Sequence, residues 1–261
     1  MLERGNNLPN ISIVTPSFNQ AGFIERTIKS VLSQDYPNFE YLVMDGGSTD
    51  GTVEILKKYG KKITWRSEKD EGQGDAINKG LKSAKGEIFA YLNSDDVLAP
   101  GALKTAADFF SKNPRTKWVF GKCRIIDEND REIRKLITNY KNFWLERYHY
   151  NTLLVLNYIS QPAVFWRREA SEKIGLFNNH YFWTLDYDYW LRLGKKYPPG
   201  FVNRYLANFR VHQLSKTSLG IKNFLEEVEV AKQHTQNPLI VGLHYLNFLS
   251  IAIGYSLLSW L

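Results

Sequence analysis

Ile11-Ser12-Ile13-Val14-Thr15-Pro16-Ser17-Phe18-Asn19 and Phe39-Glu40-Tyr41-Leu42-Val43-Met44-Asp45-Gly46-Gly47-Ser48-Thr49-Asp50-Gly51 share one form, a β-branched and aromatic run that ends in polar or turn-forming residues. Between them Phe23, Ile24, Ile28, Val31 and Leu32 recur at helical spacing. Strand, helix and strand in that order make the unit of a parallel sheet wound with helices. Ile11 to Val14 and Phe39 to Met44 are the expected strands. The pattern then continues. Ile63 to Arg66 reads as a third strand, a glycine-bearing loop leads to a helix near Ala76 to Ala84, and Ile88 to Leu92 reads as a fourth strand. That strand runs into Asn93-Ser94-Asp95-Asp96, and Pro100 then starts a helix at a position that needs no backbone donor. Ligands of such sheets lie beyond the carboxyl ends of the strands, so these polar loops converge on one edge.

After Lys117 the order is less regular. Trp118 to Ile126 and Glu132 to Ile137 predict a hairpin around Asp127-Glu128-Asn129-Asp130, although no two-residue turn signature is present. Ala163 to Trp166 reads as a strand, Asp186 to Tyr197 as a helix and Phe201 to Val211 as a late strand. No internal repeat or low-complexity linker interrupts the chain.

The 261 residues are 43% hydrophobic and 14% aromatic, enough for one large core and too few for two generous ones. A single α/β domain with a C-terminal appendage is therefore expected. The formal charge of +7 admits nucleic acid, an anionic membrane face or a phosphate-bearing ligand as partner. Most Lys and Arg residues are interspersed with acids, which reads as a mixed solvated surface and argues against nucleic acid. The single cysteine, Cys123, rules out an internal disulfide framework and fits a reducing compartment. Met1 to Asn10 has no apolar run of the signal-peptide kind, so exposure to the cytosol is expected.

From Pro238 to Leu261 the composition turns uncharged and largely apolar, long enough as a helix to span a hydrocarbon core of about 30 Å. His244, Asn247, Ser250 and Gly254 form a weak polar stripe, so a helix lying on the membrane or one packed on the protein also fits. The expected division is a main α/β domain over residues 1–237, with parts about 10–100 and about 115–220, followed by a membrane-associating helix over 238–261. The expected location is the cytoplasmic face of the membrane.

A second strand ending in an acid is also a feature of dinucleotide-binding folds. Here the first strand runs into Thr15-Pro16-Ser17-Phe18-Asn19-Gln20, which lacks the glycine-rich turn a dinucleotide pyrophosphate needs. What the chain does resemble, through Ile13 to Asn19, Val43 to Thr52 and Leu92 to Asp96, is the family 2 glycosyltransferases with the glycosyltransferase A fold. The resemblance runs from about Ile11 to Thr217, and the three motifs are specific in combination. It implies a Rossmann-like, mostly parallel sheet flanked by helices, and an inverting enzyme that moves a sugar from a nucleoside diphosphate donor, UDP by default, to a hydroxyl of a glycan or lipid-linked glycan in cell-surface assembly.

The resemblance also implies roles. Pro16 and Phe18 would wall the donor's base and ribose, and Asp45 would accept hydrogen bonds from the base, which suits a carboxylate at a strand end facing an imide N–H. Asp45 also reads as a plain turn residue beside Gly46-Gly47, and Phe18 as ordinary core. Asp75 reads equally as a ribose contact and as a helix N-cap. In the motif Asn93-Ser94-Asp95-Asp96, Asp96 would bind a divalent cation, Mn or Mg, and Asp95 would contact the ribose or share the metal through water. Such a cation neutralises a leaving diphosphate. Asn93 stands where an acid is frequent, which weakens the site. His212 resembles a late metal ligand, with Arg210 and Lys216 as phosphate neutralisers. Gln161 and Trp183 fall in the acceptor wall, Gln161 being equally readable as a buried structural amide.

Two acids compete for the general base. In the helix that includes Asp186 and Asp188, residues two apart point to nearly opposite sides. Asp186 shares a stripe with Trp190, Leu193 and Tyr197 and would face the core and the cleft at its end. Asp188 shares one with Arg192 and Lys195, a solvated face where an Asp–Arg pair suffices. Asp186 is therefore the expected base, in agreement with its place in the resemblance. Two competitors remain: a nucleotidyltransferase, which normally needs a basic glycine-rich loop after the first strand, and a module of the same fold without catalysis, against which the retained Asp45, Asp95, Asp96, Asp186 and His212 speak.

Overall fold

A computed structural model describes residues 8–213, 215 and 222–258. In its first part, strands β1 (Ile11–Ser17), β2 (Phe39–Asp45), β3 (Thr64–Ser67) and β4 (Ile88–Tyr91) alternate with helices α1 (Ile24–Leu32), α2 (Thr52–Tyr59) and α3 (Gln73–Ser83). The short strand β5 (Val97–Leu98) and helix α4 (Ala102–Lys112) follow. The second part contains β6 (Trp118–Ile126), β7 (Glu132–Ile133), α5 (Lys135–Leu145), α6 (Tyr150–Leu153), β8 (Val164–Arg167) and α7 (Arg168–Ile174). It continues through α8 (Leu185–Lys196), β9 (Gly200–Arg210), α9 (Lys222–His234) and α10 (Pro238–Leu258).

All strands join one nine-stranded sheet in the order β3-β2-β1-β4-β8-β6-β9-β5, with β7 paired to β6. The pairs β3–β2, β2–β1 and β1–β4 are parallel, as the alternation of strands and helices requires. Beyond β4 the sheet becomes mixed: β8 runs antiparallel to both β4 and β6, while β6 and β9 are parallel. The central strands are covered on both faces. Ile11, Ile13, Tyr41 and Val43 point into one layer with Ile24, Ile28 and Val31 of α1, and Val14, Leu42 and Met44 point into the other with Ile77 and Leu81 of α3. This period-two division explains why β1 is buried along its whole length. Gly80 lets α3 lie against β1, since a Cβ there would stand 2.3 Å from Val14 Cγ1.

Three local expectations change. Helix α4 begins at Ala102, after Gly101 in the left-handed region, and not at Pro100. The return strand of the hairpin shrinks to Glu132–Ile133, because Arg134 turns left-handed at φ 50° and a helix follows. Leu136, Tyr140 and Phe143 of that helix lie at four- and three-residue spacing, a periodicity that two adjacent apolar residues, Leu136 and Ile137, disguise as a strand. In α10 only His244 of the polar stripe is shown to turn inward, its Nδ1 2.7 Å from the Leu154 carbonyl oxygen; Ser250 is exposed, and Leu239, Leu243, Leu246, Leu249 and Ile253 face outward. Among the described residues no helix is long and apolar enough to cross a membrane.

Candidate active site

The four parallel strands end on one edge, and their loops are tied together there. Asn19, at the exit of β1, accepts from Thr49 N through its side chain and donates its own backbone N–H to Ser48 Oγ. Pro16 is buried in the strand, but Phe18 is 60% exposed, so its ring is open to a ligand and is not core. Asp45 is almost completely buried, and its carboxylate accepts from Gly47 N, Ser48 N, Ser48 Oγ and Ser67 Oγ at 2.5 to 3.2 Å. These donors hold the turn after β2 against the end of β3. Acceptance from a nucleotide base would require one of them to be exchanged.

Asp75 is in the first turn of α3 and is not its N-cap, a position held by Gly72. Its carboxylate accepts from Glu71 N and pairs with Lys79 at 3.0 Å, and that pairing holds its pKa below the usual range. Gln73, at the start of the same helix, donates to Asn93 Oδ1 at 2.7 Å and so joins the glycine-bearing loop to the acidic motif. Nothing in the one-dimensional pattern singles out Gln73, because the contact spans two loops.

The motif after β4 is built from beneath. Thr27 Oγ1 of α1, fully buried, lies 2.8 and 2.7 Å from the carbonyl oxygens of Ser94 and Asp96. Asp96 has no exposed surface, and its Oδ1 accepts from Arg210 N at 2.7 Å. Burial, and then the charge of Asp95, raise its pKa well above the usual carboxylate range. Asp95 keeps some exposure, and its Oδ2 lies 3.1 Å from His212 Nε2. His212 comes from the end of β9, is buried, and packs on Phe23 with ring centroids 4.3 Å apart. The histidine therefore meets Asp95, and Asp96, the acid expected beside it on a metal, is turned inward. The reason is the β5–β9 pairing, which carries the backbone of Arg210 over Asp96 and turns that carboxylate inward.

Arg210 is itself fully buried and spends its guanidinium on Asp95 O, Asp127 O and Asp130 Oδ1. It braces the β6–β7 turn against the motif and is not placed to neutralise a phosphate. Lys216, also expected near the phosphates, lies outside the described residues. Gln161 is buried too; its amide donates to Tyr91 O at 2.6 Å and accepts from Asn93 Nδ2 at 3.3 Å. It supports Asn93 from below, the role of a structural amide and not of an acceptor contact. A cavity of about 550 Å³ adjoins His212, lined also by Asp127, Glu128, Asn129, Val211 and Gln213. Its acidic wall disfavours an anion.

Asp186 and Asp188 differ in an unexpected way. Asp188 is only 5% exposed, and its carboxylate lies 2.9 Å from both Arg192 Nε and His234 Nε2. The Asp–Arg pair is present, but α9 covers it, so the face read as solvated is an interhelical contact. Burial opposes its charge, yet the bonds to His234 and Arg192 prevail and hold its pKa low. Asp186 is half-buried at the first turn of α8, where burial pushes its pKa up to about 6 against the partial compensation of the Lys141 charge. Buried Tyr91 feels the charges of both Asp186 and Asp96, so the two acids share one electrostatic neighbour. Trp183 is half-buried in the loop before α8, with its backbone N–H on Glu226. That Glu226 carboxylate, from α9, also accepts from Phe182 N, Thr184 N and Thr184 Oγ1 at 2.8 to 2.9 Å.

Among the described residues no three His, Cys, Asp or Glu side chains form a group that could hold a metal ion alone. The Asp95–His212 pair still fits a cation that takes its remaining ligands from a bound diphosphate and water, since both are donors of the right chemistry at one point of the cleft.

Comparisons with known proteins agree with this architecture. The family model described as Glycosyl transferase family 2 matches residues 12–175. An uncharacterized glycosyltransferase of Rickettsia typhi is 30% identical over 233 residues, which cover 85% of this chain and 70% of that protein. A mannosyltransferase from Pyrobaculum calidifontis, solved with GDP-Man and Mn2+, superposes with a TM-score of 0.71 at 19% identity over 95% of this chain and 75% of its own. Residues 1–349 of TarS from S. aureus, solved with UDP-GlcNAc, give a TM-score of 0.68 at 20% identity over 86% of this chain and 66% of theirs. With a family match that begins in β1, spans the acidic motif and ends just past α7, the chain belongs to glycosyl transferase family 2 and is a glycosyl-transferring enzyme.

Proposed function

We propose that Asp186 is the general base of an inverting transfer from a nucleoside diphosphate sugar, UDP-based by default, to a hydroxyl of a glycan or lipid-linked glycan. The observation that carries the proposal is a half-buried carboxyl near neutrality in the first turn of α8, whose charge acts on the same Tyr91 phenol as that of Asp96. A base of that strength is ionised at neutral pH and still able to take a proton in the transition state. The acceptor oxygen forms its bond to the anomeric carbon as its proton passes to Asp186, and the bond to the diphosphate oxygen breaks on the opposite face. A single displacement of this kind inverts the anomeric centre.

The nucleotide is assigned to the edge of β1 to β4, with Phe18 and Pro16 as its wall and Asp45 holding the turn beneath it. Asp75 is left as a ribose contact at the mouth of α3, and Trp183 as a flat face for the acceptor. Asp95 and His212 would hold a divalent cation, Mn or Mg, which when bound neutralises charge on the leaving diphosphate. In this division residues 10–100 serve the donor and 115–220 the acceptor. The outward leucines of α10 point to contact with a membrane surface, at the cytoplasmic face.

The test is sugar transfer by wild type, Asp186→Asn and Asp188→Asn with UDP- and GDP-sugars, with the product anomer read by NMR. Inverted product, and loss of turnover with retained donor binding only in Asp186→Asn, are expected. Retained configuration, or an active Asp186→Asn beside a folded but inactive Asp188→Asn, would refute the assignment.

A further inference from the structure

Helix α5 presents an apolar stripe to solvent that the fold does not use. Leu136 is 85% exposed, and Ile137, Tyr140 and Phe143 are each between 44% and 50% exposed. Leu136, Tyr140 and Phe143 lie four and three residues apart, so they form one line along the helix. The opposite side is anchored: Thr138 and Leu145 are buried and Trp144 packs on the core.

The charge around the stripe is of one sign. From Ile133 to Leu145 the sequence has no acid. Arg134 and Lys135 stand exposed at one end of the helix, and Arg147 at the other lies over the Phe143 ring at 4.0 Å. The nearest acids in sequence are engaged elsewhere, Glu132 with Arg124 and Glu146 with Lys122. An apolar line with cations at both ends matches the interface of an anionic bilayer, where the rings and leucine enter the acyl boundary and the cations stay with the headgroups. A second copy of the chain fits less well. Two such helices packed antiparallel about a two-fold axis would set Arg134 and Lys135 against the partner's Arg147, like charge on like.

We infer that α5 docks the protein on an anionic lipid surface through Leu136, Tyr140 and Phe143, independently of α10. The docking has a consequence for the acceptor. On its inner side the same helix carries Lys141, whose Nζ lies 3.4 Å from Ser160 Oγ and whose charge reaches Asp186. Docking α5 therefore holds the Asp186 side of the cleft near the bilayer, where a lipid-linked hydroxyl is presented. The acceptor consequence rests on Asp186 as base; the docking does not.

Flotation of the full chain with vesicles of phosphatidylcholine alone, and with one third phosphatidylglycerol, tests the docking. The wild type should float with anionic vesicles and much less with neutral ones. Leu136→Glu/Tyr140→Glu/Phe143→Glu should partition about ten-fold more weakly, and Arg134→Glu/Lys135→Glu should lose the preference for anionic lipid. Both should keep the thermal shift given by UDP with Mn2+, and the doubly charge-reversed variant decides the matter if the triple one does not fold. Unchanged flotation of the folded variants overturns the inference, whatever the outcome at Asp186. So does a wild type that is dimeric by light scattering and becomes monomeric in the triple variant with flotation intact.

Discussion

Asp186 and Asp188 stand two residues apart on α8, and their surroundings give them opposite work. Asp186 has its pKa raised to about 6 by burial, so it is ionised above that pH and available to accept a proton. Turnover of the wild type should therefore fall as pH drops through about 6, and Asp186→Asn should lower kcat by roughly 10²-fold or more with donor binding kept. Asp188 has its pKa lowered by His234 and Arg192 in the face of burial. A depressed folded pKa contributes stability that is present above the unfolded value and lost as pH falls through the folded one. Asp188→Asn should cost about 1–3 kcal/mol by weakening the contacts to half-buried Arg192 and His234, with activity of the folded fraction retained. Thermal melts against pH would show the contrast. At the other end of the cleft, Asp95→Ala and His212→Ala should each abolish the metal-dependent part of UDP binding by calorimetry. Equal affinity for wild type with and without chelator would remove the metal from the proposal.

Helix α8 owes its position to α9. The single carboxylate of Glu226 takes the hydrogen bonds of Phe182, Trp183 and Thr184 just ahead of the N-terminus of α8, where donors lack intrahelical partners and a negative charge is favoured. Asp186 lies in the first turn so held, and the negative charge of Glu226 also raises its pKa. Glu226 is thus a positioning residue. Glu226→Ala should lower stability by about 1–3 kcal/mol and lower kcat more than it raises the donor KM. Glu226→Gln, which keeps an acceptor without the charge, should restore much of the kcat and move the acid limb of the pH profile downward. The other groups facing Asp186, Lys141 of α5, Glu227 of α9 and Tyr91 of β4, remain in both variants. A limb that does not move in Glu226→Gln would limit Glu226 to a structural brace.

For the molecule as a whole, the two outward apolar surfaces are the features the sheet and its core do not explain. In α10 the leucines face out and His244 faces in, so apolar side chains are left turned to solvent. Deletion of residues 239–261 should reduce partitioning to membranes. It should also lower the melting temperature by several degrees, since it removes Ile240 from the core and His244 from the Leu154 carbonyl. Leu243→Glu/Leu246→Glu/Leu249→Glu separates the two effects: vesicle flotation should fall while the melting temperature holds. A full-length protein that stays monodisperse without detergent and floats with no vesicle would count against both helices as membrane contacts.

The sequence by itself determined the part of this protein whose signals are local. Parallel strands buried on both faces are apolar runs closed by turn residues, and β1, β2 and β4 and their motif loops were legible for that reason. The resemblance carried by the same loops marked the family. Tertiary structure decided whatever depends on residues far apart meeting. The backbone of Arg210, 114 positions after Asp96, turns that acid inward and leaves Asp95 to His212. The side chain of Gln161 becomes a prop for Asn93 because β8 is inserted beside β4. Asp188 is buried because α9 returns across α8, which no periodicity within α8 records. Helical spacing divides a helix into faces, but which face meets solvent is set by what packs against it, and that partner lies elsewhere in the chain.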